Sequence, residues 1–166
     1  GHDVVLFDVE TSPYRQDSQE MIVGNILDRD VFGKAMAGCE DVYHMAAVAD
    51  LDEAIKSPGQ AIEVNILGTA NALELARAND IKRFVSASTI YVYSDLGSFY
   101  RTTKRTGELL IDDYWKQYGL PYTVLRFGSL FGPRADDHNS LYRMLTQALG
   151  ERRIDYLGSG KEIREY

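Results

Sequence analysis

Residues 57–80, SPGQAIEVNILGTANALELARAND, lie between two short apolar runs of the chain. The stretch opens with signals of a helix start, because Ser57 can cap, Pro58 suits the first turn and Gln60 completes a capping box. The flanking runs are brief and almost continuously hydrophobic, as are strands buried on both faces of a parallel sheet. The stretch therefore predicts a helix over 58–78 that connects two parallel strands.

The same alternation extends in both directions along the chain. The predicted strands are Val4–Phe7, Met21–Val23, Val42–Met45, Phe84–Ala87 and Tyr122–Phe127, and the predicted helices span 29–37, 58–78, 99–117 and 140–149. Strands that alternate with helices of this length indicate an α/β fold with a doubly wound parallel sheet. We predict one domain over residues 1–150 and the start of a second region over residues 151–166.

Composition excludes several classes of function. The formal net charge is −7, so no excess of basic residues is available to neutralise a nucleic-acid backbone. No apolar stretch is long enough to span a bilayer, and no charged-then-apolar leader is present. The single cysteine, Cys39, cannot form an internal disulfide and is expected to pack as a small hydrophobic residue. We therefore expect a cytoplasmic protein with no membrane, nucleic-acid or metal partner.

Residues that follow the first two predicted strands suit a nucleotide site, because such sheets bind ligands beyond the carboxyl ends of their strands. A carboxylate at Asp8 can accept hydrogen bonds from adenosine ribose hydroxyls and repel a 2′-phosphate. Asn25 and Ile26 can hold the edge and the face of adenine. Each signal has an ordinary alternative, since Asp often ends a strand and Gly-Asn is a common turn.

The next two strand ends carry small and hydroxyl side chains. Ala46 and Ala47 allow a flat or phosphorylated ligand to approach the backbone, although they also suit a plainly packed strand end. His44 lies at a strand end with no evident acid partner, so we interpret it as a structural histidine. Ser88 and Thr89 place hydroxyls where they can donate to a substrate oxygen, although a Ser-Thr pair alone is unremarkable.

Tyr100 and Lys104, in SFYRTTKRTGE at 98–108, share one face of a predicted helix. A tyrosine with a pKa near 10 is a poor base at neutral pH. A neighbouring ammonium, together with the positive ring of an oxidised nicotinamide, would stabilise the phenolate and lower that pKa. Chance produces this spacing often, so the evidence lies in its position on the helix after the Ser-Thr strand.

Together these segments resemble the extended short-chain dehydrogenase/reductase family, the NAD-dependent nucleotide-sugar epimerases and dehydratases. The resemblance runs nearly end to end, with Asn25 standing where the family usually has Asp. The segments that carry it, in the family's order, are GHDVVLFD, GNILD, HMAA, VNILGT, ASTIYVYS, YRTTK, LRFGSLFGPR and GSGKEIREY. The resemblance implies a Rossmann-type fold, NAD as the cofactor and a nucleotide-diphosphate sugar as the substrate.

The resemblance also implies individual roles. Tyr100 as phenolate takes the proton of a sugar hydroxyl while hydride passes to the nicotinamide, Lys104 lowers its pKa and binds the nicotinamide ribose, and Thr89 donates to the same sugar oxygen. The implied cofactor contacts are Asp8, Asn25, Ile26, Met45, Ala46, Ala47, Asn65, Ala87, Tyr100, Lys104 and Phe127. The implied substrate contacts are Ser88, Thr89, Ser129 and Arg164, the last of these at the diphosphate.

The residues after Thr89 bear on the reaction type. Family members that dehydrate or decarboxylate the sugar usually carry an acid two residues beyond the catalytic threonine, whereas Ile90 and Tyr91 follow here. This difference favours epimerisation through a transient keto-sugar. The alternatives are a nucleotide-sugar reductase, dehydrogenase or dehydratase of the same family, or a non-catalytic nucleotide-binding fragment.

The sequence departs from the family at its start. The family's first strand and glycine-rich turn should precede Gly1, so we expect two strand edges without partners and weak or no NAD binding by the isolated chain. The loop over 94–99 is also shorter than the family's substrate loop. Family members commonly pair through two helices, which implies a homodimer through helices 58–78 and 99–117.

Overall fold

The computed structural model describes residues 1–137, 139–156 and 158–161. The chain divides into two compact units, Gly1–Arg126 and Phe127–Tyr166. The first unit contains all the helices and strands through residue 118 and most of the last strand, and the described part of the second unit contains one helix. The domain boundary predicted at residue 150 stays a prediction.

Five strands form close to the predicted positions. They are β1 (Val5–Asp8), β2 (Glu20–Val23), β3 (Asp41–His44), β4 (Arg83–Thr89) and β5 (Tyr122–Phe127). Pairing is parallel both between β1 and β2 and between β3 and β4. The predicted α/β architecture is therefore confirmed.

The helices also agree with the prediction, with one addition and one interruption. They are α1 (Arg29–Met36), α2 (Leu51–Lys56), α3 (Pro58–Ile62), α4 (Gly68–Ala78), α5 (Ser98–Tyr118) and α6 (Ser140–Glu151). A π-helical turn, Glu63–Leu67, joins α3 to α4, so the helix predicted over 58–78 is continuous but locally widened. A short 3₁₀ turn, Ile90–Tyr93, follows β4.

The capping box predicted at Ser57 does not form. Ser57 ends α2 by donating its backbone N–H to the carbonyl of Glu53, and its side chain makes no capping hydrogen bond to α3. The sequence analysis missed α2, although Asp50 caps it by accepting from the Glu53 N–H and Lys56 lies in its last turn. Pro58 stands in the first turn of α3, as predicted.

The strands belong to two sheets. Within the described part of the chain, β1 pairs only with β2, and the second sheet has the order β3–β4–β5. The edges of β1 and β3 that lie away from these partners therefore have no neighbouring strand among the described residues. This arrangement agrees with the expectation of two open strand edges.

The core of the first unit lies where α1, α4 and α5 pack against strands and loops. Phe7 of β1 stacks on Phe32 of α1 with ring centroids 4.8 Å apart. Cys39 is half-buried against the same cluster, which agrees with its expected packing role. The buried members are Ile26, Phe32, Met36, Ala72, Leu73, Ala76, Ile81, Phe84, Ile111 and Leu120. No helix in the described ranges has the length and apolar character needed to cross a membrane.

His44 joins β3 to α4. Its side chain is buried, and its Nε2 lies 2.9 Å from Oγ1 of Thr69. The Thr69 hydroxyl donates its one hydrogen to the carbonyl of Asn65, so Nε2 of His44 must be the donor to Thr69. Burial, and then the charge of Lys104, lower the pKa of His44 to about 4. The imidazole is neutral at pH 7, in agreement with a structural role.

This buried imidazole predicts a pH dependence of stability. The ordinary pKa is 6.5 and the folded pKa is about 4, so the stabilisation is complete above pH 6.5 and is lost as the pH falls towards 4. We expect the free energy of unfolding to fall by up to about 1.4 kcal/mol per pH unit across this window. Urea denaturation at about pH 7, 6 and 5 measures the slope, which His44→Gln should flatten. Equal slopes for the wild type and the variant would contradict the assignment.

Candidate active site

A cleft with a volume of about 540 Å³ opens beside β1 and β3 and extends past their carboxyl ends. Six of the predicted cofactor residues line it: Asp8, Asn25, Ile26, Met45, Ala46 and Ala47. We call these six residues the rim. Three separate strand ends thus bring their predicted residues to one cleft, although their contact with a cofactor stays a prediction.

Two polar side chains of the rim are held by local turns. One carboxylate oxygen of Asp8 accepts weakly from the Glu10 N–H at 3.4 Å. The side-chain oxygen of Asn25 accepts from the Leu27 N–H at 2.9 Å and so shapes the turn after β2. Carboxylate and amide oxygens can each accept further hydrogen bonds, so both residues keep the capacity to bind ligand hydroxyls or amines.

Lys104 is a buried cation on α5. Its side chain lies beside Tyr100, with Nζ 6.0 Å from the ring centroid, and only 9% of the residue is exposed. It makes no hydrogen bond or ion pair with another described residue. Burial lowers the pKa of Lys104 to about 8, against the opposing influence of Glu108. A buried amine that lacks an ion-pair partner is costly to stability and is typical of functional sites.

Tyr100 has the opposite pKa shift from the one predicted for the complete site. Its ring is partly buried against Val48, Ala54 and Ala61. Burial first, and then Tyr91, raise the pKa of Tyr100. The ammonium of Lys104, with Nζ 6.0 Å from the ring centroid, does not reverse this shift. The phenol is therefore protonated at neutral pH, and the expected lowering depends on the second positive charge.

The two hydroxyls at the end of β4 have different partners, although both residues are only 5% exposed. The Thr89 oxygen accepts from the Tyr91 N–H at 3.3 Å, and its hydrogen is not donated to any group in the described ranges. The Ser88 hydroxyl donates to the carboxylate of Glu108 at 2.5 Å. Thr89 thus keeps the donor capacity that its predicted role needs, whereas Ser88 has already used its hydrogen inside the protein. Their contacts with substrate stay predictions.

Glu108 is a site residue that the sequence analysis missed. It receives two hydrogen bonds from the Arg126 guanidinium, at 2.9 and 2.7 Å, besides that from Ser88. Burial alone would raise the pKa of Glu108, but the hydrogen bonds from Arg126 and Ser88 hold it below its ordinary value. The carboxylate is therefore charged near Lys104. Its position four residues after Lys104, on the same helix face, was the signal available in the sequence.

Asn65 lies in the π-helical turn and is 2% exposed. Its side chain accepts from the Val48 N–H at 2.8 Å and donates to the Val48 carbonyl and to the Thr103 hydroxyl. Thr103 in turn donates to the backbone carbonyl of Tyr100. In this structure Asn65 joins the loop after β3 to the first turn of α5, and its predicted cofactor contact stays a prediction.

The remaining predicted residues are dispersed. Ala87 is half-buried on β4, and Phe127 and Ser129 belong to the second unit. Arg164 lies outside the described residues. No group of three or more His, Cys, Asp or Glu side chains that could hold a metal ion occurs among the residues that the structure describes.

Comparison with protein families places the whole chain in one of them. The model of the NAD dependent epimerase/dehydratase family matches residues 1–166. A dTDP-glucose 4,6-dehydratase of Streptomyces antibioticus is 30% identical over 156 residues, which are 86% of this chain and 47% of that protein. A UDP-glucuronate 4-epimerase of Thermodesulfobacterium geofontis is 32% identical over 138 residues, which are 75% of this chain and 43% of that protein. The chain spans about half the length of the curated relatives it matches.

Solved structures share the fold. A UDP-glucose 4-epimerase from Thermotoga maritima, determined with UDP-glucose, superposes with a TM-score of 0.89 at 23% identity. The match covers 100% of this chain and 61% of the epimerase chain. An epimerase from Methanothermobacter thermautotrophicus superposes with a TM-score of 0.86 at 26% identity. The match covers 99% of this chain and 56% of that epimerase chain. The Rossmann-type fold predicted from the sequence is therefore confirmed.

The burial of Lys104 beside Glu108 predicts an unusual titration of this lysine. Nuclear magnetic resonance of ¹³C-labelled lysine should show one side chain with a midpoint near 8 in place of the ordinary 10.5, and Lys104→Met should remove that signal. Glu108→Gln should lower the midpoint, because the Glu108 carboxylate of the wild type raises the pKa of Lys104. Glu74→Gln is the control. Glu74 accepts a hydrogen bond from Tyr114 and forms an ion pair with Arg77, so its loss should not affect Lys104. An unchanged midpoint in Glu108→Gln would refute this electrostatic link.

Proposed function

Since the chain belongs to the NAD dependent epimerase/dehydratase family, we propose that the protein is an NAD-dependent epimerase of a nucleotide-diphosphate sugar. The observation that carries this proposal is that Lys104, a buried ammonium without an ion-pair partner among the described residues, lies beside the phenol of Tyr100 on α5. Its support from relatives is at the level of the family, because these relatives include both epimerases and dehydratases.

The residues present fit an NAD molecule bound along the rim. The exposed carboxylate of Asp8 suits the hydroxyls of the adenosine ribose and disfavours a 2′-phosphate, so NAD is preferred to NADP. Asn25 and Ile26 suit the edge and face of adenine, and Ala46 and Ala47 leave room close to the backbone. Bound NAD supplies an acceptor for hydride from a sugar carbon and a donor that returns the hydride to the opposite face.

The chain's own residues handle the proton. Tyr100 removes the proton of the sugar hydroxyl as hydride leaves the same carbon, and it returns the proton when the keto group is reduced. Lys104 stabilises the phenolate form and hydrogen-bonds the nicotinamide ribose. Thr89 donates its hydroxyl hydrogen to the sugar oxygen and so holds it near Tyr100. Phe127 and Ser129 border the nicotinamide and the sugar, and Arg164 binds the diphosphate in this proposal.

Epimerisation is favoured over elimination by the 3₁₀ turn after β4. A dehydratase needs an acid to protonate the departing hydroxyl and a base to remove a neighbouring proton. The two residues after Thr89 are Ile90 and Tyr91, and neither carries a carboxylate. A nucleotide-sugar reductase or dehydrogenase would use the same three residues without returning hydride, and product analysis distinguishes it.

Activity of the full-length protein tests the proposal. With NAD and a panel of UDP- and dTDP-sugars, we expect interconversion of sugar epimers without loss of water or net reduction of NAD. Tyr100→Phe should lower kcat by about 10²- to 10⁴-fold, because it removes the group that transfers the proton. Tyr118→Phe, an exposed tyrosine on the same helix, should leave the rate unchanged. A keto-deoxy product would show a dehydratase, and an unaffected Tyr100→Phe rate would exclude the proton-transfer role.

We further propose a homodimer formed through helices 58–78 and 99–117. Part of their apolar surface packs in the chain's own core, since Leu73 is fully buried and Leu110 and Tyr114 contact the main cluster. Leu67, Leu109 and Trp115 stay 53%, 61% and 51% exposed, which leaves an apolar face for a second copy.

Sedimentation analysis of the full-length protein tests the dimer. Leu109→Glu should convert the dimer to monomer, because it places a charge in the apolar contact. Ile55→Glu is the matched control, since Ile55 is 52% exposed on α2, outside the proposed contact. A monomeric wild type, or a dimer that Leu109→Glu leaves intact, would contradict the proposed interface.

A further inference from the structure

Lys104 and Glu108 stand one turn apart on α5, yet the structure shows no ion pair between these two described residues. Residues four apart on a helix are neighbours, and a lysine and a glutamate at this spacing usually attract each other. Two turns further along α5, Asp112 and Lys116 have the same spacing and do form an ion pair. The spacing therefore does not explain why the Lys104 ammonium is unpaired.

The Glu108 carboxylate is already held by groups on two strands. Its two oxygens accept from Nε and Nη2 of Arg126 on β5, at 2.9 and 2.7 Å. The oxygen that binds Nε also accepts from the hydroxyl of Ser88 on β4, at 2.5 Å. A paired contact between a guanidinium and a carboxylate is stronger than a single hydrogen bond and fixes the direction of both groups. The carboxylate is thus directed towards β4 and β5 and away from Lys104.

Arg126 is itself held by Tyr93, the last residue of the 3₁₀ turn. The guanidinium carbon lies 4.8 Å from the centre of the Tyr93 ring, and Nη1 donates to the Tyr93 hydroxyl. The side chain of Arg126 is 40% exposed and that of Glu108 is 15% exposed. Since water screens partly buried charges less, this pair is stronger than one on an open surface.

We propose that Arg126 is a positioning residue that withholds Glu108 from Lys104. The ammonium then stays unpaired beside Tyr100. A carboxylate in contact with that ammonium would neutralise the charge that favours the phenolate. It would also occupy hydrogens that Lys104 is proposed to donate to the nicotinamide ribose. The consequence for proton transfer rests on the proposed function, whereas the separation of Glu108 from Lys104 does not.

Two other titratable groups lie near Lys104, and neither is a counter-ion at neutral pH. Burial, and then the charge of Lys104, lower the pKa of His44 to about 4, so this imidazole is neutral. Burial raises the pKa of Tyr100, so this phenol is protonated. Burial also lowers the pKa of Lys104 to about 8, and Glu108 is the carboxylate that opposes this shift. Glu108 is therefore the group whose position decides the charge of Lys104.

Nuclear magnetic resonance titration of ¹³C-labelled lysine in the full-length protein tests the proposal. In Arg126→Met the released Glu108 should turn to Lys104, whose midpoint should rise from near 8 to about 9 or higher, the effect of one close opposite charge. Arg126→Lys keeps a cation that can hold Glu108, so the midpoint should stay near 8. Arg83→Met is the matched control, since Arg83 also joins β4 to β5, through Thr123 near their amino-terminal ends.

A double variant separates the release of Glu108 from a general loosening of the site. Loosening would expose Lys104 to water and would also raise its midpoint. When Arg126→Met is combined with Glu108→Gln, no carboxylate is left at position 108, so the midpoint should return to about 8 or lower. A midpoint that stays high in the double variant, or one that does not rise in Arg126→Met, would overturn the proposal.

Ser88→Ala provides a second test that does not depend on the folding of Arg126→Met. It removes the other donor to Glu108 and leaves a small side chain in the same place. The Lys104 midpoint should rise in this variant too, by less than in Arg126→Met, because the Arg126 contact remains. If Arg126→Met does not fold, an unchanged midpoint in Ser88→Ala overturns the proposal.

Activity of the same variants tests the consequence for proton transfer. An ion pair at Lys104 that raised the pKa of Tyr100 by about 1 would lower the phenolate fraction about tenfold. The kcat of Arg126→Met should fall by about that factor, and the double variant should recover part of the loss. A double variant no faster than Arg126→Met would refute this consequence. A wild type without epimerase activity would refute the proposed function instead, and the titrations alone would then decide.

Discussion

The amide of Asn65 is the contact on which the arrangement of the site depends. It pairs with both backbone groups of Val48 and donates to Thr103, which donates to the carbonyl of Tyr100. The Asn65 carbonyl also accepts from Thr69, which holds the neutral imidazole of His44. One buried network therefore runs from β3 through the π-helical turn to α5. Such turns often occur at functional sites, and here the turn contains the side chain that connects them.

Burial then sets the electrostatics of the residues that this network positions. Removing water disfavours the charged form of both Lys104 and Tyr100, so the pKa of the lysine falls and that of the tyrosine rises. Glu108, kept ionised by Arg126 and Ser88, opposes the loss of charge on Lys104. In this environment a further positive charge close to the ring is what would shift Tyr100 towards phenolate.

The cleft combines two kinds of surface that lie end to end. Its rim lies just beyond three strand ends, which is the usual place for a ligand in a parallel α/β sheet. Its interior is lined by β1 and β3 and by the apolar side chains of Phe32, Ala35 and Met36.

The sequence by itself determined the order and type of most elements, because a short apolar run and a helical period are local signals. It also placed Asp8, Asn25 and Thr89 at strand ends, since parallel strands bring their carboxyl ends to one edge, and it placed Tyr100 and Lys104 on one helix face. The functional roles of these residues stay predictions. It missed α2, and it predicted a capping hydrogen bond at Ser57 that does not form. Tertiary structure alone decided the partners of Ser88 and Asn65, the burial of Lys104 and the direction of the Tyr100 pKa shift. Hydrogen-bond partners and desolvation depend on residues far apart in the chain, which no local pattern records.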